Sequence, residues 1–228
     1  MAKKEENKSV LENQEVLQEK VVGFEQWIEH NSTLMFGIAG ALLLVVGGYF
    51  GFQYYTDSQN EVAQKEMFQA VHYFESDSLN LALNGDGNNL GFIEIIEEYS
   101  MTEAANLAHY YAGVCYLKQG NFDAAILYLK DFSSSDLLVQ PRAYSLLGDA
   151  HMELQQYEEA ASYYHKASTY QPNKFFTPTY LLKEALAYEK LNQNEKAIEA
   201  YDRVINEYTE SAEYQNARKY KARLQTNS

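Results

Sequence analysis

The residues of this chain that could do chemistry are few and scattered. The five histidines are His30, His72, His109, His151 and His165, and no two stand at the HxxxH spacing that points a pair of imidazoles at one metal. The single cysteine, Cys115, has no internal disulfide partner and cannot complete a four-ligand Cys/His zinc site, and no local motif marks it as an activated thiol. Ser133-Ser134-Ser135 lacks the GxSxG elbow, and no glycine-rich loop suited to a phosphate occurs. The turn Asn84-Gly85-Asp86-Gly87-Asn88-Asn89 invites comparison with a calcium loop. Counted from Asn84, its sixth position is Asn89 where glycine is wanted, and its twelfth is Ile95 where glutamate is wanted. Paired carboxylates such as Glu158-Glu159 read as a solvated helix face. No catalytic, cofactor-binding or metal-ligating residue is assigned, and the expectation is a protein that is not an enzyme. Net charge is −14, from 32 acidic against 18 basic residues, which argues against a nucleic-acid partner. Surface for other proteins is what remains.

The elements that would carry such surface are legible. With 46% hydrophobic and 14% aromatic residues there is material for a core, while 3 prolines and 20 tyrosines favour long helices over short strands. From Asn31 to Thr56 no side chain is charged. The apolar centre, Leu34 to Phe52, would make a helix roughly 28 Å long, close to the thickness of a bilayer's hydrocarbon. Phe24, Trp27, Tyr49, Phe50, Phe52, Tyr54 and Tyr55 supply interfacial aromatics. The leader is long and acidic and no small-x-small site follows the span, so a retained single-pass anchor over 34–55 is expected rather than a cleaved signal. Lys3, Lys4, Lys8 and Lys20 precede the span and Lys65 follows it, which favours a cytoplasmic N-terminus. Within the span Gly47 and Gly51 form a GxxxG pair, and Gly37 with Ala41 a second small-xxx-small pair. Such pairs let another membrane helix approach, although glycine is also common in membrane helices generally. In the tail, residues 1–33, Val10, Leu17, Val21, Phe24 and Ile28 draw an apolar stripe along a helix, suited to a membrane surface or a partner.

Beyond the span the sequence repeats at about 35 residues. The clearest copy starts at Pro141 and carries Tyr144, Leu147-Gly148, His151, Tyr157, Ala160, Tyr164, Ala167 and Pro172. It resembles the tetratricopeptide repeat, with His151 in place of the usual tyrosine. An earlier copy starts at Asn106, with Gly113, Tyr116, Gly120, Ala125 and Leu129 in register; Phe132 replaces an alanine there, suggesting a loosened exit through Ser133 to Asp136. A third starts at Pro178, with Ala185, Tyr188, Ala197 and Tyr201. Small residues let paired helices approach and large ones fill the gaps beside them, and a hairpin that cannot cover its own apolar face must stack on its neighbours. The expected fold is all-α: an N-terminal transmembrane helix, then a tetratricopeptide-repeat helical solenoid. Its parts are lead-in helices over 56–105 that make a degenerate repeat, three repeats over 106–211, and a closing helix within 212–228. The lead-in pair is read as Gln59 to Phe74 and Gly91 to Tyr99, separated by the Asn84–Asn89 turn.

In repeats of this kind the first helix of each hairpin lines the concave face. Carried over, the lining residues are Leu107, Tyr110, Val114, Leu117 and Lys118, then Arg142, Ser145, Asp149, Met152 and Glu153, then Thr179, Leu182, Leu186, Glu189 and Lys190. The Lys/Asn clamp that some chaperone-binding members hold for a C-terminal carboxylate is missing. An apolar groove suits a hydrophobic or extended peptide, or is filled by the chain's own lead-in helices.

The order of parts carries a further resemblance. Phe24-Glu25-Gln26-Trp27-Ile28-Glu29-His30-Asn31 leads into the glycine-rich span, and Tyr54-Tyr55 precede a helix with Gln59, Ala63 and Ala70. This layout resembles the YfgM-type ancillary subunits of the bacterial SecYEG translocon, most specifically over residues 22 to 74. The resemblance implies a single-pass protein of the bacterial inner (cytoplasmic) membrane, with its N-terminus cytoplasmic and its repeats periplasmic. It also implies partnership with the SecYEG channel and a periplasmic chaperone of the prolyl-isomerase type, near newly exported chains. A general scaffold for envelope assembly or another secretion machine, and a regulator that sequesters a signalling protein, are the alternatives.

Overall fold

The computed structural model describes residues 21, 22, 27 and 30–226. Of the tail stripe, Val10, Leu17, Phe24 and Ile28 lie outside the described residues, as do Lys3, Lys4, Lys8 and Lys20. Every element among the described residues is helical, and the chain divides into two compact units at Tyr55–Thr56.

Helix α1 is Ser32–Glu75. Its residues up to Tyr55 belong to the first unit, where the large apolar side chains are exposed, among them Phe36, Leu44 and Tyr54. It is the one helix among the described residues long and apolar enough to cross a membrane.

In the second unit the last turns of α1 bury Ala63, Met67 and Ala70. Helix α2 (Leu79–Asn84) follows, in a stretch where the sequence pattern predicts no helix. Six residues are too few to show a period, and it is the burial of Ala82 and Leu83 that holds it. Helix α3 (Phe92–Glu98) opens with the Gly91 amide donating to the Glu94 carboxylate at 3.1 Å. Helix α4 (Glu103–Lys118) is capped by Thr102, whose hydroxyl accepts from the Ala105 amide. It therefore begins before Asn106, where the repeat pattern becomes readable.

Three helical hairpins follow one plan. Helix α4 pairs with α5 (Phe122–Asp131), α6 (Val139–Glu153) with α7 (Tyr157–Thr169), and α8 (Thr177–Lys190) with α9 (Asn194–Glu207). Each tight turn places one residue in the left-handed region, at Gly120 (φ 76°), Gln155 (φ 59°) and Asn192 (φ 58°). The next amide in each turn reaches back to a carbonyl inside the preceding helix, from Asn121 to Tyr116, Gln156 to His151 and Gln193 to Tyr188. Close approach within two hairpins is made at glycine. A Cβ on Gly113 would stand 2.5 Å from Leu129 Cγ, and one on Gly148 would stand 2.5 Å from Tyr164 Cε1. Helix α10 (Tyr214–Thr226) buries Ala217 and Leu224 against Leu181, Tyr201 and Val204.

The exit of the first hairpin is tied rather than loosened. Phe132 is buried against Tyr110, and the Asn106 side-chain amide bonds Ser133 in both directions, donating to its carbonyl at 2.8 Å and accepting from its amide at 3.1 Å. Asp136 then caps α6 by accepting from the Leu138 and Val139 amides, which hold its carboxyl below the usual range. Those long-range bonds depend on Asn106 and are invisible to a local reading of the serine run.

Candidate functional site

Several of the groups with the means to do chemistry are occupied by the fold. The Cys115 thiol is fully buried, and burial pushes it up to about 12, so the thiolate needed for reaction is not available at neutral pH. His109 lies against the Tyr128 ring, and burial lowers its imidazole below its ordinary value. His151 stacks on Tyr163 at 5.3 Å and bonds Gln156 through Nδ1 at 2.6 Å. His165 and Ser168 of α7 each bond one oxygen of the buried Glu184 carboxylate in α8, both at 2.8 Å, which fastens the second repeat to the third. In the Asn84–Asn89 turn the Asp86 carboxylate accepts from the Tyr73 hydroxyl at 2.7 Å and the Asn88 and Asn89 amides at 2.8 and 2.7 Å. These donors hold its carboxyl well below the usual range, the Tyr73 hydroxyl most of all. They make the turn a folding device. Glu158 and Glu159 are exposed in the first turn of α7.

The face built by the first helices α4, α6 and α8 is less apolar than its sequence suggests. Arg142 Nε donates to the Tyr110 hydroxyl at 3.0 Å, which joins α4 to α6. Lys183 donates to both oxygens of Asp149 at 2.8 Å and lies 3.3 Å from Ser145 Oγ, which joins α6 to α8. Asp149 also accepts from the Tyr164 hydroxyl at 2.7 Å; burial, and then this carboxylate, raise the Tyr164 phenol far above its ordinary value. Tyr180 is buried beside them, its phenol raised by burial and partly restored by the Arg142 charge.

Several of the carried-over residues are spent inside the molecule. Leu107 packs on the lead-in core and shares an apolar cleft of about 390 Å³ with Met67, Phe68 and Val71 of α1. Lys118 pairs with Asp77 and lies over the Phe74 ring. Met152 packs with Ala160, Ala161, Tyr164 and Ala187 at the seam between the second and third repeats, and Leu182 packs on the C-terminal core. Val114, Leu117 and Leu186 stay partly exposed, and Arg142 is exposed. Lys183 and Tyr180 were missed. The signal for Lys183 was an opposite charge, Asp149, one repeat length earlier on the same kind of helix.

On the first unit, a Cβ added to Gly37, Gly47 or Gly51 meets nothing within 4 Å among the described residues, and Ala41 is exposed beside them. The side chains of this segment can thus be enlarged without a clash among those residues.

Comparison with known proteins bears on the fold. Residues 93–134, 141–174 and 180–211 each match the tetratricopeptide repeat. No curated protein matches the chain in sequence. Among solved structures, the crystal structure of MamA protein is similar over 64% of this chain and 72% of its own, at 21% identity and a TM-score of 0.53. The nearly identical TPR-like repeats of a Podosopora anserina putative kinesin light chain are similar over 71% of this chain and 84% of their own, at 14% identity and a TM-score of 0.54. At such identities the likeness is one of fold. Residues 93–134, 141–174 and 180–211 accordingly carry tetratricopeptide-repeat matches within an all-helical solenoid of that fold.

Proposed function

We propose that the chain is a non-catalytic scaffold anchored in the bacterial inner membrane by residues 34–55, associated with the SecYEG translocon through its glycine face. Its first-helix face engages a periplasmic chaperone of the prolyl-isomerase type or an emerging secreted chain. The tail, residues 1–33, is cytoplasmic in this reading and the repeats are periplasmic.

The observation that carries the binding half is what the first-helix face leaves over after its internal contacts. Arg142 keeps an exposed side chain oriented by Tyr110, and Val114, Leu117 and Leu186 present apolar surface on the same three helices. A mixed apolar and cationic strip suits an extended segment with side chains of both kinds. The membrane half is supported by the length and apolarity of α1 and by the small-xxx-small spacing of Gly37 with Ala41 and of Gly47 with Gly51.

The two halves have separate tests. Gly47→Leu with Gly51→Leu should weaken co-purification of the channel while leaving the repeats folded; unchanged recovery would count against the glycine face. Arg142→Glu with Leu117→Ser alters exposed and half-exposed positions, so the helices should persist while capture of the chaperone or exported chain falls. Undiminished capture would mean that this face serves internal packing alone.

A further inference from the structure

The second residue ahead of each of the three first helices of the array is apolar and exposed. Thr102, Leu138 and Phe176 immediately precede α4, α6 and α8, and the residues before them are Met101, Leu137 and Phe175. These three are 68%, 49% and 74% exposed, and Leu138 and Phe176 add surfaces that are 45% and 42% exposed. Before a capping residue such as Thr102, an apolar residue ordinarily folds back onto the fourth residue of the helix, here Asn106, which offers no apolar partner. Ahead of α6 and α8 the Asp136 and Asn173 side chains accept the first amides, and Leu137 and Phe175 stand just beyond them, exposed. Apolarity recurs once per repeat at a place where the fold makes little use of it.

The positions share one edge of the second unit. The tight turns at Gly120, Gln155 and Asn192 make each hairpin antiparallel, so α4, α6 and α8 run the same way and start at the same edge. Hydrogen bonds trace it: Asn106 to Ser133, the Tyr170 hydroxyl to the Ser134 carbonyl at 3.3 Å, and the Thr179 hydroxyl to Glu213 at 2.6 Å. At the start of α4 the Ala104 amide donates to Asn60 Oδ1 at 2.9 Å. Asn60 follows closely on Tyr55, where the apolar segment ends.

We propose that this edge rests on an uncharged lipid surface, with Met101, Leu137, Leu138, Phe175 and Phe176 entering the boundary between headgroups and acyl chains. The proposal relies on the membrane anchor of the preceding section, since the anchor holds the edge at a high effective concentration of lipid. Burial of apolar surface drives the contact. Electrostatic attraction does not, because the exposed Glu103, Asp131, Asp136, Glu207 and Glu210 of this edge outweigh its exposed Lys130, Lys166 and Lys174 and repel anionic headgroups. Lys174, the cation beside Phe175, lies over its ring at 5.5 Å.

Quenching by brominated acyl chains tests this in the full-length protein reconstituted into phosphatidylcholine vesicles. In a Trp27→Phe background, a single tryptophan is placed by Phe175→Trp on the edge or by Glu158→Trp at the exposed start of α7, on the opposite edge. Flotation with the vesicles reports on the anchor, and quenching reports on the edge. The expected result is flotation of both proteins, with several-fold stronger quenching at 175 than at 158 that weakens when anionic lipid is added. Flotation with equal quenching at the two positions overturns the edge and spares the anchor. A blue shift of the tryptophan at 175 that appears only at high protein density, without preferential quenching, assigns the edge to a second copy and overturns the lipid contact. Failure to float overturns both.

Discussion

Gly148 lies under the ring of Tyr164, and Tyr164 in turn holds Asp149 through its hydroxyl. A methyl group at residue 148 would force that ring outward, and overpacking of this kind costs about 1–3 kcal/mol. Gly148→Ala should therefore lower the denaturation midpoint and loosen the Asp149–Lys183 pair; an unchanged midpoint would show that Tyr164 moves freely. Gln155 presents the opposite case, because it occupies the left-handed place that glycine fills at Gly120. Gln155→Gly should stabilise the second hairpin by up to about 1 kcal/mol, against a loss if the glutamine side chain contributes more than its backbone costs. His109 governs the acid side. Its Nδ1 is buried without a hydrogen-bond partner among the described residues, and burial lowers the imidazole in the folded state. As pH falls below the ordinary histidine value of about 6.5, the unfolded chain takes up the proton first, so stability is full above that pH and declines below it. The midpoint of His109→Phe should fall less between neutral pH and mildly acid pH than that of the parent chain. Equal falls would mean that His109 ionises in place.

Among the elements, the last turns of α1 share a core with α4. This packing joins Ala63, Met67 and Ala70 to Ala104, Ala105 and Ala108 in one core and gives the Ala104 amide a side-chain acceptor in Asn60. Asn60→Ala removes that acceptor and should cost about 1 kcal/mol, or a few degrees in Tm for a unit of this size. Hydrogen exchange should quicken at the first turn of α4 before the second repeat is affected; uniform change across both would place the boundary of cooperation elsewhere. The helices of the repeats were readable because small residues recur where helices touch. Gly113 and Gly148 are visible as a spacing in sequence and explained by Leu129 and Tyr164 in structure. Helix α2 was not readable, since so short a segment has no period. The tied loop after Phe132 was hidden as well, because the bonds that fix it come from Asn106 and Gln140.

At the scale of the whole molecule the face of the first helices was the least legible part. Its positions follow from the repeat, but their fates depend on neighbours that the repeat does not specify. Leu107 turns to the lead-in core, Lys118 to Asp77 and Met152 to a seam between repeats, whereas Arg142 is left exposed beside Tyr110. The apolar segment, by contrast, was plain from its lack of charge, because bilayer thickness sets a length that a sequence either meets or does not. Between an exposed strip of repeats and a helix able to span a membrane lies the central claim, that this chain is an anchored scaffold of the secretion channel. It is tested most directly by affinity purification of the full-length protein from gently solubilised membranes, with the co-purifying proteins identified by mass spectrometry. The account predicts enrichment of the SecYEG channel together with a periplasmic prolyl isomerase. Recovery of a different envelope complex, with neither of these enriched, would contradict it.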